Sequence, residues 1–479
     1  MPALNFTVIL PLSVLSIWAC LLLLGDLFLK RKSVTAFLAA FGLALALGLT
    51  LSQVGYNDVS FNNAVVVDGF STFINALVAV SGLLGVALAH GYLKRTGLER
   101  GEYYALLLFS IAGMVLMAQA SDLIIVFLAL ELLSIPLYVL SAFAHPQADS
   151  EEAGLKYFLL GAFSAGFVVY GIALVFGATG STSLRSIAAT AAVGGANVML
   201  LTVGAALILV GLAFKVAAVP FHMWTPDVYH GAPSAVTAFM ASGAKIAGFA
   251  ALLRVFVLAF PSVADDLTPI LAVIAALTMI LGNLLAISQT NIKRLLAYSS
   301  IAHAGYILMA FVPYGQASVV ATSVASGLFY LVAYALTNFG AWAVVIALEK
   351  KEGKGLEISD YAGLARGHPA LAAAMAVFML SLTGIPPTLG FVGKFYLFRA
   401  AIEGQFYVLA VIGVVTSLIS AYYYLRVVVT MYMRDGEPQT TSEPWLNLTW
   451  AVCAIATVLV SIVPGPLFAL ATGAVLRLF

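Results

Sequence analysis

The chain has 479 residues, of which 62% are hydrophobic and only 9% charged, against roughly 25% charged in an ordinary soluble domain; lipid is therefore the solvent for most of its surface, and a soluble enzyme is excluded. A net charge of +1 supplies no basic footprint for nucleic acid. Two cysteines, Cys20 and Cys453, are too few for a cysteine-ligated iron–sulfur cluster, a four-cysteine zinc site or a disulfide framework, so any redox cofactor has to sit on another chain.

A membrane helix needs about 20 mostly apolar residues to cross about 30 Å of hydrocarbon. In chain order, such spans are expected at 8–28, 34–54, 70–93, 104–120, 121–143, 155–177, 197–219, 232–256, 268–288, 299–315, 320–348, 370–398, 405–430 and 447–472, about fourteen in all. Runs such as LILVGLAF and MAVFMLSL lack the period-two alternation of barrel strands. The fold class is thus an all-α polytopic membrane protein forming a single domain over 1–479. The acidic stretch 144–156 reads as a loop, and the longest polar stretch, 349–369, as a loop carrying a short surface helix.

Lys30, Arg31 and Lys32 follow the first apolar stretch, whereas a cleavable signal carries its basic residues before it, so that stretch is a retained helix. Placing the loop after span 1 in the cytoplasm puts fourteen basic residues inside, among them Lys94, Arg95, Lys293, Lys350, Lys351 and Arg434. Only Arg185, Arg254, Arg399 and Arg477 fall outside. This bias predicts both termini on the outer side.

Four ionisable residues fall where lipid makes them costly, by at least about 2.5 kcal/mol each at a helix centre. Glu131 lies near the middle of its span, one residue before Leu132, whose carbonyl Pro136 cannot satisfy. Lys215 sits in GLAFKVAAVPFHMW, Lys245 in FMASGAKIAGFAALL and Lys394 in GIPPTLGFVGKFYLF. Lys245 has about a dozen apolar residues on each side, an unbroken context from which its ammonium cannot easily reach water. Arg426, near a span end, reads instead as a snorkelling side chain. An ion pair between Glu131 and one of the lysines is also compatible with the sequence.

Two spans are broken. Pro386 and Pro387 interrupt the twelfth and free carbonyls around residues 382 and 383, while Pro220 ends the seventh. Irregular backbone at membrane depth persists only where protein or a water-filled cavity satisfies it. Broken helices seven and twelve, five spans apart and each beside a lysine, suggest two inverted five-helix repeats, spans 4–8 and 9–13. The corresponding boundaries are a three-helix segment at 1–100, repeats at 104–256 and 268–430, and a C-terminal helix at 447–479. His222, His230 and His303 are possible relay groups, because imidazole exchanges protons near neutral pH. HMWTPDVYH lacks further metal ligands, and no metal or cofactor site is expected on this chain.

The motifs ELLSIPLYVLSAF, LKYFLLGAFSAGFVVYG, GLAFKVAAVPFHMWTPDVYHGAP, NIKRLLAYSSIAHAGYILM and GIPPTLGFVGKFYLF, in this order, resemble the N-subunit family of bacterial respiratory complex I, the equivalent of mitochondrial subunit 2. The resemblance covers about residues 100–430. It implies a proton-translocating, antiporter-like subunit of NADH:quinone oxidoreductase in the bacterial cytoplasmic (inner) membrane. It further implies flavin, iron–sulfur clusters and quinone on other subunits, and membrane-arm partners that include antiporter-like sister subunits. Glu131, Lys215, Lys245 and Lys394 match the family's relay positions, and a lysine at 394, where sister subunits usually carry glutamate, favours the N type. Cation/proton antiporter complexes and membrane-bound hydrogenases use related chains, and an inert membrane anchor is the alternative from a different class.

Overall fold

The computed structural model describes residues 5–29, 32–350 and 354–475. Lys30, Arg31, Lys351 and Arg477, used above for orientation, lie outside the described residues.

The chain is almost entirely helical. Helices α1 (Leu10–Asp26) and α2 (Lys32–Ser52) lead to a small antiparallel hairpin, β1 (Asp58–Ser60) and β2 (Val65–Val67), with Val59 opposite Val66. Then follow α3 (Gly69–Thr96), α4 (Gly101–Gln119), α5 (Leu123–Ser141), α6 (Ala148–Thr179), the short α7 (Leu184–Ala192), α8 (Val198–Val216) and the short α9 (Trp224–Gly231). Helix α10 (Ser234–Phe239) passes through a π-helical turn, Met240–Ala244, into α11 (Lys245–Ala259). The remainder comprises α12 (Ala264–Ile287), α13 (Ile292–Phe311), α14 (Val320–Leu348), α15 (Leu364–Gly367), α16 (Pro369–Thr383), α17 (Leu389–Glu403), α18 (Tyr407–Met433), α19 (Pro444–Ile462) and α20 (Gly465–Gly473).

Local chemistry sets several helix starts. Asp68 caps α3 by accepting from Ser71 N–H while the Ser71 hydroxyl accepts from Asp68 N–H. Asp122, Asn197 and Asn291 cap α5, α8 and α13, each satisfying an N–H that the first helical turn leaves without a partner.

Among the described residues, twelve helices are long and apolar enough to cross a membrane. The other two expected spans correspond to α13, whose sequence is more polar, and to the split pair α16 and α17. Burial separates centre from periphery. In the α10–α11 segment 94% of the most apolar stretch is buried and in α14 89%, against 28% in α6 and 22% in α19. Ionisable groups on the central helices are therefore enclosed by protein.

Several boundaries differ from the sequence reading. The acidic stretch expected to be a loop is largely the first turns of α6, where Asp149 and Glu151 face the positive end of the helix dipole. Helix α13 begins seven residues earlier than expected, because Asn291 accepts from both Lys293 and Arg294 N–H. The last span stops at Ile462 and resumes at Gly465, with Pro464 removing the donor that a continuous helix needs. Among the described residues of 349–369, a 3₁₀ turn, Ile358–Tyr361, is followed by α15; Ser359, Asp360 and Arg366 face outward, as expected of a surface element, while Tyr361 and Leu364 anchor it inward. Arg426 does not simply snorkel: its guanidinium donates to the carbonyls of Ile287, at 3.0 Å, and Gln289, capping the end of α12.

An ion pair between a buried arginine and a partly buried aspartate ties the start of α3 to α11. Arg254, 1% exposed, donates both terminal nitrogens to the Asp68 carboxylate at 2.9 and 2.8 Å. Burial raises the Asp68 pKa, but the Arg254 charge and hydrogen bonds outweigh it and hold the carboxyl below its ordinary value. A lowered folded-state pKa means the stabilisation is present at neutral pH and is lost as pH falls through that value. Asp68→Asn is expected to destabilise the protein by about 3–5 kcal/mol, because it leaves Arg254 buried without its counter-charge. Thermal denaturation of the purified complex checks this; an unchanged melting temperature would contradict it.

Candidate functional site

Each sequence-predicted ionisable residue of the membrane interior sits in a defined polar setting. Lys215, in the last turn of α8, is buried and donates to Ser134 Oγ at 2.9 Å and to the Tyr157 hydroxyl at 3.1 Å. Glu131 lies one turn before Ser134 on α5. The two residues line the same cavity of about 10 Å³, about the room one water centre needs. No hydrogen bond or ion pair joins them among the described residues, and Glu131 Oε1 is buried without a partner. The two groups thus line one cavity without forming an ion pair, Lys215 being held by Ser134 and Tyr157. Beyond Lys215 the helix ends: Ala217 adopts a left-handed φ of 62°, and Val219 N–H donates to Thr278 Oγ1 at 2.9 Å.

Lys245 is buried at the junction between the π turn and α11, which corrects the expected unbroken context. The turn's extra residue widens the helix immediately before the lysine, in a stretch of small residues, Ala241, Ser242, Gly243 and Ala244, whose side chains can tolerate the widening. Lys245 Nζ donates to the carbonyl oxygen of Ser300 and, at 2.6 Å, to its hydroxyl, which also accepts from Tyr334 at 2.9 Å. His303 follows one turn later on α13. Its Nδ1 lies 2.6 Å from the Tyr330 hydroxyl and its Nε2 3.1 Å from that of Tyr424. The imidazole packs against the Tyr306 ring at 5.7 Å, and Lys394 Nζ lies 4.5 Å from the centre of that same ring.

Lys394, on α17, fills all three of its donor positions. It donates to the carbonyls of Leu382 and Thr383 at 2.9 Å each and to Ser417 Oγ at 2.8 Å. These carbonyls end α16, where Gly384 turns the chain at φ 90° ahead of Pro386 and Pro387. They have no helical donors of their own, and a cation at a helix C-terminus complements the dipole.

The structure thus gathers Lys245, His303 and Lys394 around Ser300, Tyr334, Tyr330, Tyr424 and Tyr306, with the His303 and Tyr334 rings 5.3 Å apart; no hydrogen bond joins His303 to Lys245 or Lys394 among the described residues. Hydroxyl and imidazole groups both donate and accept, the property a proton relay requires. The Lys215 site connects less directly: Tyr157 stacks on Trp224 at 4.5 Å, Trp224 meets Tyr229 edge-on at 5.9 Å, and Tyr229 reaches Ser300. No hydrogen bond joins Lys215 to Lys245 among the described residues.

His222 and His230 stand apart from this cluster. His222 follows Pro220 in the connection after α8, and burial lowers its pKa against a hydrogen bond with the Pro220 backbone. His230, on α9, is lowered by burial and by the positive charges of Lys293 and Arg294. Both shifts favour the neutral imidazole, and the Nδ1 of each is buried without a partner. Nearby, Asp227 bridges Lys156 at 2.8 Å and Arg294 at 3.0 Å, fastening α9 to α6 and α13.

Sequence reasoning missed the tyrosines. A signal existed, because Tyr330 and Tyr334 are spaced one turn apart in an apolar span and three consecutive tyrosines, 422–424, occur in another. No group of three or more His, Cys, Asp or Glu residues able to hold a metal occurs among the described residues.

Comparison with known proteins identifies the family. Residues 120–420 match the NADH:quinone oxidoreductase/Mrp antiporter transmembrane family. NADH-quinone oxidoreductase subunit N of Chloroflexus aggregans is 46% identical over 98% of this chain and 97% of its own length. The subunit of the same name from Trichlorobacter lovleyi is 46% identical over 96% and 94%. A chain of respiratory complex I from Thermus thermophilus, solved with bound aureothin, superposes with a TM-score of 0.84 at 36% identity, covering 97% of this chain and all of that one. On this evidence the chain is a multi-pass membrane protein that belongs to the NADH:quinone oxidoreductase/Mrp antiporter transmembrane family, where its full-length relatives are subunit N proteins.

Proposed function

We propose that the chain is the proton-translocating, non-redox N-type subunit of an NADH:quinone oxidoreductase, with Glu131, Lys215, Lys245, His303 and Lys394 as its relay. The observation that carries this reading is the buried cluster of Lys245, Ser300, His303 and Lys394, groups that exchange protons and are enclosed by protein at membrane depth. An inert anchor has no need of three buried lysines, each costly to insert. His222, beside Pro220, serves at the approach to Lys215, and His230 faces Lys293 and Arg294.

In this reading the chain spans the bacterial cytoplasmic membrane fourteen times with both termini outside. The repeats occupy 104–256 and 268–430, flanked by the 1–100 and 447–479 segments. Flavin, iron–sulfur clusters and quinone belong to other subunits, and the partners are the remaining membrane-arm subunits, antiporter-like sister chains among them.

Movement of Glu131 toward or away from Lys215 changes the proton affinity of the lysine, because a neighbouring carboxylate favours its charged form. Glu131→Gln removes that charge while keeping the shape. The assembled variant complex in proteoliposomes is expected to oxidise NADH with artificial acceptors at the normal rate and to pump protons several-fold more slowly. Fully coupled pumping in this variant would remove Glu131 from the mechanism.

A further inference from the structure

The relay cluster leaves open how protons reach Lys245 from the side opposite Lys394. A second buried cluster lies at the C-terminal end of α14, beside Lys293 and next in the chain to Lys350. Glu349, immediately after α14, is only 7% exposed. Its Oε1 accepts from the Tyr92 hydroxyl at 3.3 Å, and that hydroxyl in turn accepts from the N–H of Ser234, the first residue of α10, at 3.2 Å. Glu349 Oε2, Ser234 Oγ and the Tyr361 hydroxyl are buried and have no protein partner. Lys293, also buried, donates to the Ala232 carbonyl at 2.8 Å and feels the charges of Glu349 and Asp149. Polar groups enclosed in this way normally bind water, which makes the cluster able to hold and pass protons.

The two helices that meet at this cluster meet again beside Lys245. Along α14, Asn338 lies eleven residues before Glu349; along the α10 and π-turn segment, Ser242 lies eight residues after Ser234. Asn338 Nδ2 donates to Ser242 Oγ at 2.8 Å, three residues before Lys245. A residue rise of about 1.5 Å puts this polar pair about 12–16 Å from the cluster along either helix.

We propose that Glu349 is the proton-loading carboxylate for Lys245. This inference rests on the relay reading above. The Glu349 carboxylate takes a proton from water on the Lys350 side and becomes a neutral carboxyl. It releases that proton past Tyr92, Ser234 and the Ser242–Asn338 pair to the neutral Lys245 amine, so that the carboxylate is regenerated and an ammonium forms. The titratable groups facing Glu349 are Tyr92, Lys293 and Tyr361, with Asp149 and His230 around Lys293 and Asp360 beside Tyr361; Arg95, paired with Glu443, lies over the Tyr92 ring and donates to the Ile346 carbonyl one turn before Glu349.

The test compares Glu349→Gln, Glu349→Asp, the double variant Glu349→Gln with Lys293→Gln, and Lys245→Ala, each as the assembled complex in proteoliposomes, with NADH-driven proton uptake followed against pH. Glu349→Gln is expected to slow pumping at least tenfold, Glu349→Asp to restore most of it with a displaced pH profile, and the double variant to remain slow. Recovery in the double variant would make Glu349 a counter-ion of Lys293 and overturn the assignment, as would wild-type pumping in Glu349→Gln while Lys245→Ala is inactive. Wild-type pumping in Lys245→Ala would instead overturn the relay reading itself.

Discussion

Replacing Lys245 with arginine is expected to leave the complex assembled and to reduce NADH-driven pumping at least tenfold. Arginine keeps a positive charge and can still donate to Ser300, but it does not release its proton in a protein. A relay that raises a charge against the membrane potential works against about 2.3 kcal/mol per 100 mV, and a tenfold change in rate corresponds to about 1.36 kcal/mol, so a carrier that cannot discharge stops the flow. Lys245→Ala is expected to behave similarly in pumping and, notably, in assembly. The Ser300 carbonyl lies inside α13, where a helical N–H already satisfies it, so loss of the ammonium orphans no backbone group. Proton uptake by proteoliposomes, with artificial-acceptor NADH oxidation as the control, reads both variants. Full pumping by the arginine variant would show that fixed charge suffices and would reduce Lys245 to a structural role.

Lys394 is expected to respond differently, because its ammonium has a second duty. It is the donor for Leu382 O, and it shares Thr383 O with the Ser417 hydroxyl. Lys394→Ala therefore orphans one buried carbonyl and weakens the pairing of another, a loss of about 1–3 kcal/mol, in addition to blocking proton transfer. Lys394→Arg retains donors at the end of α16 and is expected to rescue thermal stability but not pumping. The two readouts separate the roles: a melting temperature lowered in the alanine variant and recovered in the arginine variant, with pumping lost in both. Equal stability in the two variants would show that the carbonyls find other donors.

Pro386 and Pro387 make the same site legible from sequence. Two adjacent residues without N–H groups must leave carbonyls one turn earlier without helical donors, and Leu382 and Thr383 are the residues whose carbonyls Lys394 binds. That inference needs only covalent chemistry and the helical period. The same is true of the membrane setting, the helical class and the placement of Glu131, Lys215, Lys245 and Lys394 within apolar stretches, all of which follow from hydropathy and the cost of a charge in lipid.

The sequence was a poorer guide where the outcome depended on which helices become neighbours. His303 finds Tyr424 from 121 residues away, and Lys245 finds Ser300 from 55. Helical periodicity identifies the face of an amphipathic helix, but α10–α11 and α14 are apolar nearly all round, and such helices announce burial without saying what they are buried against. The π turn before Lys245 is equally silent, since Met240–Ala244 has no proline, and its Ser242–Gly243 pair is compatible with an ordinary α-helical turn. By itself, then, the sequence determined that this is a helical membrane protein with ionisable residues and broken helices at membrane depth, because those features depend on composition and local backbone chemistry. Only the tertiary structure decided that Lys245, His303 and Lys394 share one cluster of tyrosines, that Glu131 and Lys215 face a common cavity without bonding, and that Glu349 lies buried beside Tyr92, because hydrogen-bond partners across a bundle are set by packing between segments far apart in the chain.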